Sequence, residues 1–154
     1  APELPAFTSP QPCYAPTFDG CSGLTAAPEL PATTLATTCY SNMFSGCTSL
    51  TAAPELSATT LSIYCYYRMF RGCTSLTVAP ELSATTLVDS CYSEMFSGCS
   101  SLNSVTMTAT NIRASSCLEN WLEGVSKTGT FKKNASTDIP SGPSGIPEGW
   151  EVIF

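Results

Sequence analysis

Met43-Phe44-Ser45-Gly46-Cys47-Thr48-Ser49-Leu50 decides the fold, because it returns almost unchanged as Met69-Phe70-Arg71-Gly72-Cys73-Thr74-Ser75-Leu76 and as Met95-Phe96-Ser97-Gly98-Cys99-Ser100-Ser101-Leu102. Each return lies 26 residues further on. A looser copy, Phe18-Asp19-Gly20-Cys21-Ser22-Gly23-Leu24, precedes them in the same register. The phrase Ala-Pro-Glu-Leu keeps the same step from Ala1 to Ala27, Ala53 and Ala79, and so do the pairs Cys13-Tyr14, Cys39-Tyr40, Cys65-Tyr66 and Cys91-Tyr92. Self-similarity at a period of this size marks stacked units, each too small to bury its apolar face without a neighbour.

Four units (1–26, 27–52, 53–78 and 79–104) are followed by a degenerate fifth, 105–130, in which Cys117 and Gly124 hold the register. There Trp121 stands in the place of Met95 and Leu122 in that of Phe96, as befits a terminal unit sealing the stack. From 131 to 154 the composition changes to Pro140, Gly142, Pro143, Gly145 and Pro147 before Trp150-Glu151-Val152-Ile153-Phe154. This reads as a loop-rich C-terminal cap that finishes in a short strand.

Within a unit, Leu35, Cys39 and Met43 recur every fourth residue beside Phe44, and Gly46 follows. That pattern predicts a helix of about two turns with a glycine C-cap. Ser49 to Ala53 reads as extended and is stopped by Pro54, which would remove a ladder hydrogen bond; Thr33-Thr34-Leu35 is a second extended stretch favoured by β-branching. The expected class is an α/β repeat solenoid of about five 26-residue coils, each a short parallel strand plus a short helix.

The formal charge of −6 and the absence of a basic run longer than Lys132-Lys133 argue against a nucleic-acid partner. No apolar run approaches 18 residues, so membrane insertion by a helix is not expected. Ala1 falls on a unit boundary, which suggests a portion of a longer chain. With no histidine in the chain, Ser-His and Cys-His nucleophile systems are excluded, and no glycine-rich phosphate loop is present. A non-enzymatic protein without cofactors is the expectation.

Nine cysteines admit three readings. The two in a unit, such as Cys39 and Cys47, would be about 12 Å apart along a helix, beyond the roughly 7 Å Cα limit for a disulfide. Cysteines one unit apart would stack about 5 Å from each other, so a bridge between neighbours remains open. Metal is disfavoured for want of histidine or a C-x-x-C spacing. Buried free thiols acting as small hydrophobes are the favoured reading.

A ligand should be read where units agree in shape and differ in chemistry. Thr37-Thr38, Ile63-Tyr64 and Asp89-Ser90 vary, as do Ser41-Asn42, Tyr67-Arg68 and Ser93-Glu94, and then Ser45, Arg71 and Ser97. The candidates for binding are the constant column Tyr14, Tyr40, Tyr66 and Tyr92, whose rings would otherwise pack between coils and show only their hydroxyls, and the third-unit group Tyr64, Tyr67, Arg68 and Arg71, which gathers aromatic and basic groups in an acidic protein and would otherwise be a solvated helix face. The column Glu3, Glu29, Glu55 and Glu81 is a weaker candidate for a shared cation.

The order of short strand, proline, threonine-rich turn, short helix with an aromatic, and then Gly-Cys-x-x-Leu over residues 1 to 130 resembles the BspA-like leucine-rich repeats of bacterial surface proteins. The period of 26 is longer than the common form, and Ala52 and Ala53 stand where aliphatic residues are usual. The resemblance implies a right-handed leucine-rich-repeat-like stack. It also implies a cell-surface or secreted, adhesin-like protein that binds a host protein or glycan. A structural spacer or a phage-associated display element is the other function it allows.

Overall fold

A computed structural model describes residues 17–154. It has three strands, β1 (Ser104–Met107), β2 (Gly129–Lys133) and β3 (Trp150–Ile153), joined as one parallel sheet in that order. Ser104 pairs with Thr130 and Gly129 with Trp150. No helix is present among the described residues, which overturns the α/β expectation of a helix in every coil.

The segment expected to be helical is a ribbon of successive turns. Between residues 36 and 47, every second amide bonds within the coil, three residues back: Cys39 to Ala36, Ser41 to Thr38, Met43 to Tyr40, Ser45 to Asn42 and Cys47 to Phe44. The amides between them donate instead to the next coil, Thr38 to Ile63, Tyr40 to Cys65, Asn42 to Tyr67, Phe44 to Met69 and Gly46 to Arg71, at 2.7–3.0 Å. The same alternation joins the third coil to the fourth and the fourth to the fifth. A helix would have satisfied its amides internally and left only side chains to hold neighbouring coils together. The ribbon spends half of its backbone bonds on the stack.

The ribbon needs a left-handed residue every fourth position. Thr38, Asn42 and Gly46 have φ of 61°, 56° and 71°, and Tyr64, Arg68 and Gly72 repeat the pattern at 55°, 54° and 73°. The third position is glycine in every described coil, at φ of 71° or more, where a Cβ is strained whatever space surrounds it.

Strands survive only where proline is lost. Pro28, Pro54 and Pro80 are succeeded 26 residues on by Thr106, which lies in β1. In the coils that keep the proline, pairing shrinks to isolated parallel bridges such as Ala26 to Ala52 and Thr34 to Thr60. Proline has no amide to donate, so the ladder cannot pass through it. β2 runs across the boundary placed at residue 130 and carries the sheet on to β3, the strand expected at the end of the chain.

The core is a set of columns along the stack. Phe18, Phe44, Phe70 and Phe96 lie ring on ring at 5.5–5.6 Å, and Tyr40, Tyr66 and Tyr92 at 5.9–6.0 Å. Met43, Met69 and Met95 form a fully buried third column that ends in Trp121. The tail closes it: Trp121 Nε1 donates to the Gly145 carbonyl at 2.8 Å and the Leu122 amide to that of Pro143 at 3.2 Å. Gly145 has no room for a Cβ, which would overlap the Pro140 carbonyl.

Candidate functional site

Placement of the candidates follows from the ribbon. Its inward positions come in adjacent pairs every fourth residue, so Cys39-Tyr40, Met43-Phe44 and their counterparts are buried. Tyr40, Tyr66 and Tyr92 are each about 1% exposed, so in this conformation their rings form core and offer no surface to a ligand. Burial pushes the Tyr66 and Tyr92 hydroxyls well above the ordinary tyrosine range. Tyr14 lies outside the described residues.

The third-coil group, by contrast, is brought together at the outward positions of the ribbon. Tyr64 is 43% exposed beside Ile63 at 45%. The Tyr64 ring meets Tyr67 edge-on at 5.5 Å and 84°. The Arg68 guanidinium carbon lies 4.7 Å from the centre of the Tyr67 ring, within cation–π range. Arg68 then forks onto Glu94, Nε to Oε2 at 2.9 Å and Nη2 to Oε1 at 2.8 Å. Arg71 reaches the same carboxylate through Nε at 3.5 Å, with 52% of its side chain exposed.

Glu94 stood among the variable positions but not among the binding candidates, although the signal for its pairing with Arg68 existed. It occupies the same ribbon position as Arg68, one period later, and equivalent positions on adjacent coils are neighbours. The Arg68 hydrogen bonds hold the Glu94 carboxyl below its ordinary value against the opposing effect of partial burial, with Arg71 and the Tyr67 hydroxyl adding to them. Burial raises the Tyr67 hydroxyl despite Arg68 beside it.

Cysteine chemistry is muted. Seven free thiols are present among the described residues, six of them buried, and Cys39 is disulfide-bonded. The geometric argument against bridges within a unit depended on the helix and lapses with it. Cys73 and Cys99 donate to the carbonyls of Phe44 and Phe70 at 3.1 and 3.0 Å, one coil back, which ties the thiols into the stack. Burial pushes Cys47, Cys65 and Cys91 up to about 12, so they are not nucleophiles near neutral pH.

Glu55 and Glu81 line a shallow cavity of about 420 Å³ with Pro54, Leu56, Ser57 and Pro80. No group of three potential metal-ligating side chains occurs among the described residues, and Glu3 lies outside them. No helix among the described residues is long and apolar enough to cross a membrane.

No protein-family model matches this sequence, and neither the curated proteins nor the solved structures contain a match to it.

Proposed function

We propose that this chain is a non-enzymatic binding module of a surface-displayed or secreted protein, and that it takes a protein or glycan ligand at the edge of its third coil. The observation that carries the reading is the exposure of Tyr64 and Ile63 next to the two guanidiniums of Arg68 and Arg71. Wet aromatic and apolar side chains oppose solubility, and they are a common basis of recognition when a cationic group lies beside them. The scaffold beneath is rigid: Tyr66, Met69, Phe70 and Cys73 of the same coil are buried in the columns.

A second reading, a structural spacer or display element without a ligand of its own, draws support from the buried tyrosine column. A spacer needs no wet aromatic ladder, and Tyr40, Tyr66 and Tyr92 do not form one.

The test is an array of glycans and matrix proteins probed with the wild-type chain and a Tyr64→Ser/Arg71→Gln variant with an unchanged thermal melt. Binding lost in the variant supports the binding module. A wild-type chain that binds nothing on the array turns the assignment to the spacer.

A further inference from the structure

The ligand chemistry of the third-coil edge can be narrowed by its charge balance, an inference that rests on the binding reading above. Arg68 occupies both oxygens of Glu94 with its fork. Arg71 approaches that carboxylate through Nε, at the longer distance of 3.5 Å. Its two Nη atoms make no hydrogen bond among the described residues, and the side chain is half exposed. The cluster therefore holds two guanidiniums against one carboxylate, and the unmatched positive charge sits on Arg71. A planar guanidinium with an open edge takes a carboxylate by two parallel hydrogen bonds.

One unmatched charge also limits what can dock. Asp89 follows Ile63 by one period and lies beside the patch, with its Oδ1 accepting from the Ser115 amide. The chain as a whole carries −6. A polyanion such as a sulfated glycan, or a peptide with several acidic residues, would set most of its charge against this field. A ligand bearing a single carboxylate would not. The exposed Tyr64 ring, steadied by its edge contact to Tyr67, offers a flat surface that suits the C–H face of a sugar.

We propose that the third-coil edge binds a glycan terminating in a carboxylate-bearing sugar, with Arg71 on the carboxylate and Tyr64 against the ring. The test uses calorimetric titration of the intact chain with sialyllactose, lactose and a heparin oligosaccharide, on wild type, Arg71→Gln, Tyr64→Ser and the control Ser97→Gln at Arg71's position one coil later. Expected is a preference for sialyllactose over lactose of about tenfold or more, the value of one charge-assisted pair. That preference should vanish in Arg71→Gln, persist in Ser97→Gln, and give way to loss of both sugars in Tyr64→Ser. Equal affinity for the two sugars, tighter binding of heparin, no binding of sialyllactose, or an unaltered preference in Arg71→Gln each overturns the proposal. The first of these, if Tyr64-dependent, leaves the binding module standing, as does Tyr64-dependent capture of a protein on the array.

Discussion

Arg68 and Glu94 occupy the same turn position on adjacent coils, both with left-handed backbone, at φ of 54° and 50°, and their side chains close a bidentate pair across the stack. The pair is therefore a rung between coils, with side chains 36% and 22% exposed. Solvent screening keeps such a pair modest, so Glu94→Gln is expected to cost about 0.5–1 kcal/mol at neutral pH. Glu94 has a lowered folded-state pKa, so its contribution is complete above its ordinary value of 4.5 and is lost as pH falls through the lower folded value. Denaturant melts of wild type and Glu94→Gln should differ by a constant amount from pH 7 to about pH 5 and converge in more acid solution. A gap that widens on acidification would refute the assignment.

Phe70 is fully buried between Phe44 and Phe96, whereas Phe18 is half-buried and stacks on Phe44. Phe70→Ala should cost about 3–5 kcal/mol in chemical denaturation, the range for deleting a buried aromatic. Phe18→Ala should cost clearly less. Equal losses would mean that the column does not stack as described.

Left-handed positions give two substitutions of opposite sign. Gly72→Ala places a Cβ at φ of 73° and should cost about 1–2 kcal/mol. Thr38 is β-branched at φ of 61°, and its hydroxyl bonds only the adjacent Thr37 carbonyl among the described residues. Thr38→Asn should stabilise by about 0.5–1 kcal/mol, since asparagine tolerates this conformation and already serves at Asn42. Thermal melts of both variants check the ribbon directly.

Cys21 is the exposed free thiol among the described residues, and burial holds Cys47, the next member of its column, up at about 12. Brief iodoacetamide treatment at pH 8, read by peptide mass spectrometry, should label Cys21 and spare Cys47, Cys73 and Cys99 until denaturant is added. Native labelling of Cys73 at the rate of Cys21 would contradict the packed column.

Much of this architecture was legible from spacing alone. The period, the fifth unit held by Cys117 and Gly124, the inward Phe44, Phe70 and Phe96, and the limit that proline sets on strands are all readable from residue identity, because each rests on burial or on a missing amide. The basic-aromatic group of Tyr64, Tyr67, Arg68 and Arg71 was legible as a departure from the repeat consensus.

The helix was misread because a four-residue recurrence of apolar side chains suits an α-helix and a ribbon of turns equally well. Leu35, Cys39 and Met43 face inward in either. What separates the two is the destination of the Tyr40 and Phe44 amides, which donate to Cys65 and Met69 of the next coil. Those acceptors exist only once the coils are stacked. The same holds for the tyrosine column: its spacing placed it, but only the inward pairing of Cys39 with Tyr40 buried it. Sequence by itself determined the repeat, its register and its apolar columns, since these follow from side-chain chemistry at a fixed period. Tertiary structure alone decided the ribbon, the burial of Tyr40, Tyr66 and Tyr92, and the coupling of Arg68 to Glu94, because backbone bonds and charge pairs between coils depend on which residues come to lie side by side.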